Sequence, residues 1–84
     1  MIIVYAILSD KSDWIYVGMT NDIERRLHEH NSGYNLSTKS KRPFCLIHQE
    51  THKDRTEARK AEKYYKSAAG KRKLRKIIEG LGPV

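Results

Sequence analysis

Seven residues near the start of the chain, Ile2 to Leu8 (IIVYAIL), carry no charge and are apolar or aromatic at odd and even positions alike. Successive side chains of a strand point to opposite faces, so such a strand buries both faces and belongs in the middle of a sheet. A chain of 84 residues has room for one small domain around it, because a domain of that size buries only roughly 60% of its unfolded surface. The expectation is a single domain over residues 1–84 with material packed on both sides of this strand.

The polar stretch Ser9 to Asp13 turns the chain back into an aromatic and β-branched run, Trp14 to Met19, which completes a hairpin. If Tyr5 faces Tyr16 across it, Ile3, Tyr5 and Ile7 share a face with Trp14, Tyr16 and Gly18, and the two hydroxyls sit together. A helix follows. Asn21 reads as its N-cap with Glu24 three residues on, Asp22 sits at the positive end of the dipole, and Gly33 is the C-terminal stop. Ile23 and Leu27 form its core stripe, and Arg26 and His30, four apart, share a neighbouring face.

Ser32 to Pro43 reads as a basic loop, and Phe44 to Glu50 as a third strand with Cys45 as a small buried core residue. His48 and His52 fall on its exposed side or in the loop after it. Asp54 and Glu57 open a second helix that runs to about Ala69 on a stripe of Ala58, Ala61, Tyr65 and Ala68. Gly70 is read as its breaker. Leu74, Ile77 and Ile78 give a short last helix one apolar face, and Gly80, Gly82 and Pro83 end the fold. The order is β-β-α-β-α-α: an α+β fold, a three-stranded antiparallel sheet flanked by helices.

Seventeen basic against ten acidic residues give a formal charge of +7, which suits a polyanionic partner. Eleven of the seventeen fall from Lys53 onward, although a run such as Lys71-Arg72-Lys73 with Arg75-Lys76 is as often a solvated face. The single cysteine excludes an internal disulfide and, with no tight histidine cluster, argues against zinc. No apolar run approaches the roughly 20 residues that span a bilayer, and the N-terminus lacks the features of a signal peptide. The chain is expected to be cytoplasmic, soluble and away from membranes.

Ile3-Val4-Tyr5, then Tyr16-Val17-Gly18, then Arg26 in the stretch TNDIERRLHEHNSG, resemble the GIY-YIG nuclease family, with Ile3 where the family's name has glycine. The resemblance covers most of the chain and implies the same fold. It implies a metal-dependent endonuclease that hydrolyses DNA phosphodiesters, in repair or recombination. Tyr5 is then the general base or its near partner, Tyr16 holds the scissile phosphate or the water, and Arg26 is the catalytic arginine. Glu57-Ala58 through Glu62 to Lys66 matches the family pattern EA-x-x-x-E-x-x-x-K, which makes Glu62 the ligand of one Mg²⁺ or Mn²⁺ ion per site. The family's C-terminal asparagine has no counterpart, since none follows Asn35.

The chemistry fits those residue types. Arginine contacts phosphate oxygens in a fork, and His30, one turn on from Arg26, is placed to relay a proton. One carboxylate suits Mg²⁺, which keeps several waters and takes substrate oxygens. Tyrosine, with an ordinary pKa near 10, acts as a base only with help from positive charge. Lys39, Lys41, Arg42, Lys66, Lys71 and Arg72 are the candidate phosphate contacts. The partner is DNA, the expected state is a monomer, and a partner protein is left open. A second reading keeps the fold as a DNA-binding module with weak or no nuclease activity, acting alone or with that partner. A protein-interaction domain ranks last, because it leaves the tyrosines and Arg26 without a common task.

Overall fold

The computed structural model describes residues 1–81. Strands β1 (Ile2–Ser9), β2 (Ile15–Thr20) and β3 (Phe44–His52) form one antiparallel sheet in the order β2-β1-β3, so the doubly apolar strand is the central one. Helix α1 (Ile23–Ser32) follows β2, a single 3-10 turn (Lys39–Lys41) precedes β3, and α2 (Arg55–Lys66) and α3 (Ala68–Leu81) complete the α+β order expected.

The two faces of β1 feed two cores. Tyr5 and Ile7 pack with Phe44, Tyr16, Ile23 and Leu27 in the layer under α1. Val4 and Ala6 pack with Val17, Ile47, Ala58, Tyr65 and Leu74 under α2 and α3. Each core is small, and alternation along one strand is what separates them.

In the hairpin Tyr5 pairs with Gly18 and Ile7 with Tyr16, so the tyrosines share the expected face but are offset by two residue pairs rather than directly opposed. The cause is visible at Gly18, where a Cβ would stand 2.7 Å from the Tyr5 hydroxyl. The Tyr5 ring lies across β2 at that point, and only glycine leaves it room.

Other expectations are corrected. The N-cap of α1 is Asp22, not Asn21: Asp22 is extended (φ −150) and its carboxylate accepts from Arg25 N at 3.1 Å. Asn21 instead accepts from the Arg25 guanidinium. Gly33 stops the helix as expected, at φ 83. Cys45 is exposed, not core. It alternates to the side of Ile47, but on an edge strand and opposite Leu8, which is itself only partly buried against the α2 and α3 core. A bulge between Ala6 and Ile7 sets Ile47 under the helices instead.

The break between the last two helices is at Ser67, which is extended (ψ 166) and whose hydroxyl donates to Tyr64 O and accepts from Gly70 N. Gly70 lies inside the first turn of α3, where a Cβ would fall on the Tyr64 carbonyl oxygen and the Tyr65 Cα. Its role is close approach of two helices, not termination. Ala68 is exposed and leaves the α2 stripe, α3 is 14 residues rather than short, and Gly80 lies within it. Gly82 and Pro83 lie outside the described residues. His52 is inside β3, and both His48 and His52 are half-buried, their Nε2 atoms 2.8 and 2.6 Å from the Glu50 carboxylate, which also accepts from the Tyr65 hydroxyl. No helix among the described residues is long and apolar enough to cross a membrane.

Candidate active site

Four of the candidate residues meet in the layer between the sheet and α1. Tyr5 sits at the centre of β1, and its hydroxyl is 2.8 Å from His30 Nε2. His30 Nδ1 is 2.9 Å from Thr38 Oγ1, and the Thr38 hydroxyl donates to Asn35 O at 3.3 Å. With its hydrogen committed there, the Thr38 oxygen accepts from His30 Nδ1–H. That leaves Nε2 as the acceptor of the Tyr5 proton. Tyr16 stacks near this chain, its ring centre 4.9 Å from His30 and 6.3 Å from Tyr5.

Tyr5, His30 and Thr38 are almost fully buried, whereas Tyr16 and Arg26 are partly open to solvent. The buried members form a floor and the open ones face solvent. Arg26 donates to Glu29 Oε1 at 2.9 Å and lies beside the Tyr5 hydroxyl. Arg25, one residue away, is held by Asp22, Glu29 and Asn21 on the outside. With Arg55 from the start of α2, the two arginines line a polar cleft of about 230 Å³ bounded by Thr20 and Asn21.

Burial raises the Tyr5 hydroxyl to about 12, offset in part by Arg26 and reinforced by the charges of Tyr16 and Glu62. His30 is pushed down to about 4, first by burial and then by Arg26. At neutral pH the resting site is therefore a phenol donating to a neutral imidazole. A free phenolate is out of reach until charge enters the site.

Glu62 stands apart from this group. It lies on α2, whose core is on the other face of the sheet, is half-buried, and pairs with Lys66 at 3.5 Å. Its negative charge acts on Tyr5 through the field, as the smallest of the causes that shift that hydroxyl. Lys39, Lys41 and Arg42 follow α1 in the loop that Thr38 pins to His30. Lys71 and Arg72 are on α3, in the opposite layer, and Lys71 Nζ is used on Ile15 O at 3.0 Å.

Two residues of the site are additions made by the fold. Glu29 was legible, being three and four residues from Arg26 and Arg25, the spacing of helical ion pairs. Thr38 was not, because one hydroxyl among several in a polar loop has no pattern until the fold sets it against His30.

As a divalent-cation site the residues are sparse but fit. Among the described residues no three His, Cys, Asp or Glu side chains gather as a metal cage. A lone half-buried carboxylate, with only a lysine on it, is what Mg²⁺ takes when waters and substrate oxygens fill the rest of its shell.

The His30 geometry has a consequence for stability. In the unfolded chain this group has its ordinary value of 6.5 and in the fold about 4, so between those values the unfolded state binds more protons. Stability is full above 6.5, and roughly 3 kcal/mol is lost as pH falls through that window. Glu50, which burial raises but hydrogen bonds from His48, Tyr65 and His52 together hold down to about 2, adds its own loss only below its ordinary 4.5. Chemical denaturation from pH 7 to pH 4.5 should show the first loss, and His30→Gln should flatten it; an equally steep profile in the variant refutes the assignment.

A paired-tyrosine site thus lies under an arginine-bearing helix on a small α+β domain of order β-β-α-β-α-α. The chain belongs to the GIY-YIG family: the family's sequence model, described as the GIY-YIG catalytic domain, matches residues 1–75. Its relatives include a UPF0213 protein of Staphylococcus saprophyticus, 37% identical over 88% of this chain and 92% of its own. A UPF0213 protein of Listeria welshimeri is 38% identical over 89% of this chain and 84% of its own. One from Bacillus licheniformis is 37% identical over 89% and 78%. No solved structure matches the chain.

Proposed function

We propose that this protein is a metal-dependent DNA endonuclease, and that the single observation supporting it most is the buried relay Thr38–His30–Tyr5 set beneath a solvent-facing tyrosine and arginine. A structural core has no need to line up a hydroxyl, an imidazole and a phenol at hydrogen-bond distance below a cationic cleft. Proton transfer does.

In this reading Arg26 leaves Glu29 to grip the scissile phosphate, and Tyr16 orients the attacking water against it. The water's proton passes to Tyr5 Oη as the Tyr5 proton passes to His30 Nε2, so Tyr5 is never a free phenolate. His30 is a weak acceptor at rest first because it is buried and then because Arg26 repels its charged form. A phosphate bound to Arg26 cancels that repulsion and raises the imidazole when substrate is present. Thr38 fixes which ring nitrogen faces Tyr5. Glu62 would hold the divalent ion, with waters and substrate completing its shell, and the ion would supply positive charge where the phosphorane and the leaving 3′ oxygen become negative. Lys39, Lys41 and Arg42 supply charge along the backbone. A role in repair or recombination fits a nuclease with this chemistry.

The experiment is cleavage of plain, nicked and branched duplexes with and without Mg²⁺ or Mn²⁺. Strand scission that needs the ion is the expected result. Tight binding of every substrate with no scission in either metal overturns the nuclease reading in favour of the binding module.

A further inference from the structure

By composition α3 is the obvious polyanion surface, yet the fold spends most of its cations internally. Lys71 donates to Ile15 O, Arg75 donates to both the carboxylate and the backbone carbonyl of Asp13, and Lys73 Nζ lies 5.9 Å from the centre of the Tyr65 ring. Of the five in the run, Arg72 and Lys76 alone have no such partner among the described residues.

Helix α2 is the reverse. Arg55, Arg59 and Lys63 recur every fourth residue, all exposed, and among the described residues no carboxylate pairs with any of them. They line an open concavity of about 450 Å³ with Thr56 and Lys60. Like charges four apart on a helix repel, so the row is a standing cost to the free protein that an array of anions removes. Its length fits. Eight residues at 1.5 Å rise put about 12 Å between Arg55 and Lys63, the axial run of roughly three to four phosphates along one strand of duplex. Its end is also in the right place, because Arg55 lines the cleft that holds Arg25 and Arg26 as well as the α2 concavity.

We propose that the row Arg55, Arg59 and Lys63 on α2 is the track for the phosphates of the DNA arm that leaves the Arg26 cleft, and that α3 is not part of that surface. The placement of the scissile bond in the cleft rests on the nuclease reading; the track itself is a matter of binding. Arg55 joins the two sites, and Arg59 and Lys63 extend the grip by two turns of helix.

Two charge-reversed proteins separate track from overall charge, since Arg59→Glu/Lys63→Glu and Arg72→Glu/Lys76→Glu lower the net charge equally. Duplex affinity is measured by fluorescence anisotropy against a salt series, and folding by thermal melt. The α2 pair should weaken binding at least tenfold and flatten the slope of log affinity on log salt by about 2, at 0.9 for each phosphate no longer neutralised. The α3 pair should cost less than threefold with the slope unchanged. Equal losses in the two proteins, or a larger loss from the α3 pair, overturn the track. Should reversal on α2 lower the melting temperature, Arg59→Ala/Lys63→Ala decides on the same criterion of slope. The nuclease reading fails separately, by absence of scission in the unaltered protein, and the binding comparison still decides the track.

Discussion

Arg26→Ala should slow DNA cleavage at least about a hundredfold while changing DNA affinity only a few-fold. The reason is where the charge is needed. In the ground state a phosphodiester carries one negative charge that many surface cations satisfy, but the phosphorane gathers charge at one point in the cleft. Loss of one well-placed stabilising donor there costs two to three orders of magnitude. Arg26 has the position: it lies beside Tyr5, only partly open to solvent, and is held by a single carboxylate, Glu29. A second effect runs the other way. Arg26 is one of the causes that hold the His30 imidazole down, so its removal makes His30 a better proton acceptor at rest. The variant should therefore show a lower rate with the acid limb of its pH–rate profile moved to higher pH, a shift that removal of a phosphate ligand alone does not produce. Arg25→Ala is the control in sequence, because Arg25 is bound on the outside to Asp22, Asn21 and Glu29. If Arg25→Ala does the damage and Arg26→Ala does little, the two arginines have been assigned in reverse.

The parts of the fold that were legible in the sequence are those set by period and by capping. The doubly apolar run announced the central strand, the alternation in Ile3-Val4-Tyr5 and Tyr16-Val17-Gly18 put the tyrosines on one face, and Gly33 and Asp54 marked helix ends. What failed did so for particular reasons. Asn21 and Asp22 are both good caps, and the choice between them depends on where β2 releases the chain at Thr20, whose hydroxyl bonds Asp22. Gly70 carries the same letter as a helix stop, but here it answers to the crossing of α3 over Tyr64 and Tyr65, which is tertiary. Cys45 has the composition of a core residue and the position of an edge.

The site divides in the same way. Tyr5, Tyr16, Arg26 and His30 were readable as a set because strand parity and helical spacing converge on one layer. Thr38 was invisible, since its contact with His30 is made by a loop that returns under the helix. The basic run of α3 is a related case. Counting lysines along α3 does not show that Lys71 and Arg75 are tied to β2 and the hairpin loop, and only the fold reveals which cations are left over.

Glu62→Gln should abolish ion-dependent cleavage with the fold intact, and the structure makes this a sharper test than spacing alone. As a bystander, Glu62 opposes ionisation at the site: its negative charge is one of the causes that raise Tyr5. Removing that charge would then leave cleavage unchanged or slightly faster. As the carboxylate that holds the divalent ion, it is needed for the charge that offsets both the phosphorane and the leaving oxygen, and its loss stops the reaction. The two roles predict opposite signs. Titration of Mn²⁺ by electron paramagnetic resonance gives a readout independent of turnover, and the Glu62→Gln protein should bind the ion at least tenfold more weakly in the presence of uncleavable DNA. DNA affinity without metal should hold or rise, because a charge near phosphates has gone, and Lys66 is released from its 3.5 Å pair. Glu57→Gln is the matched comparison on the same helix. Asp54 already caps the Glu57 amide and the Glu57 side chain meets only Lys60, on the surface at 3.7 Å, so the change should cost less than about 1 kcal/mol of stability and leave cleavage nearly untouched. A Glu62→Gln protein that cuts at the normal rate with the normal ion requirement sinks the role given to Glu62, and with it the single-carboxylate mechanism.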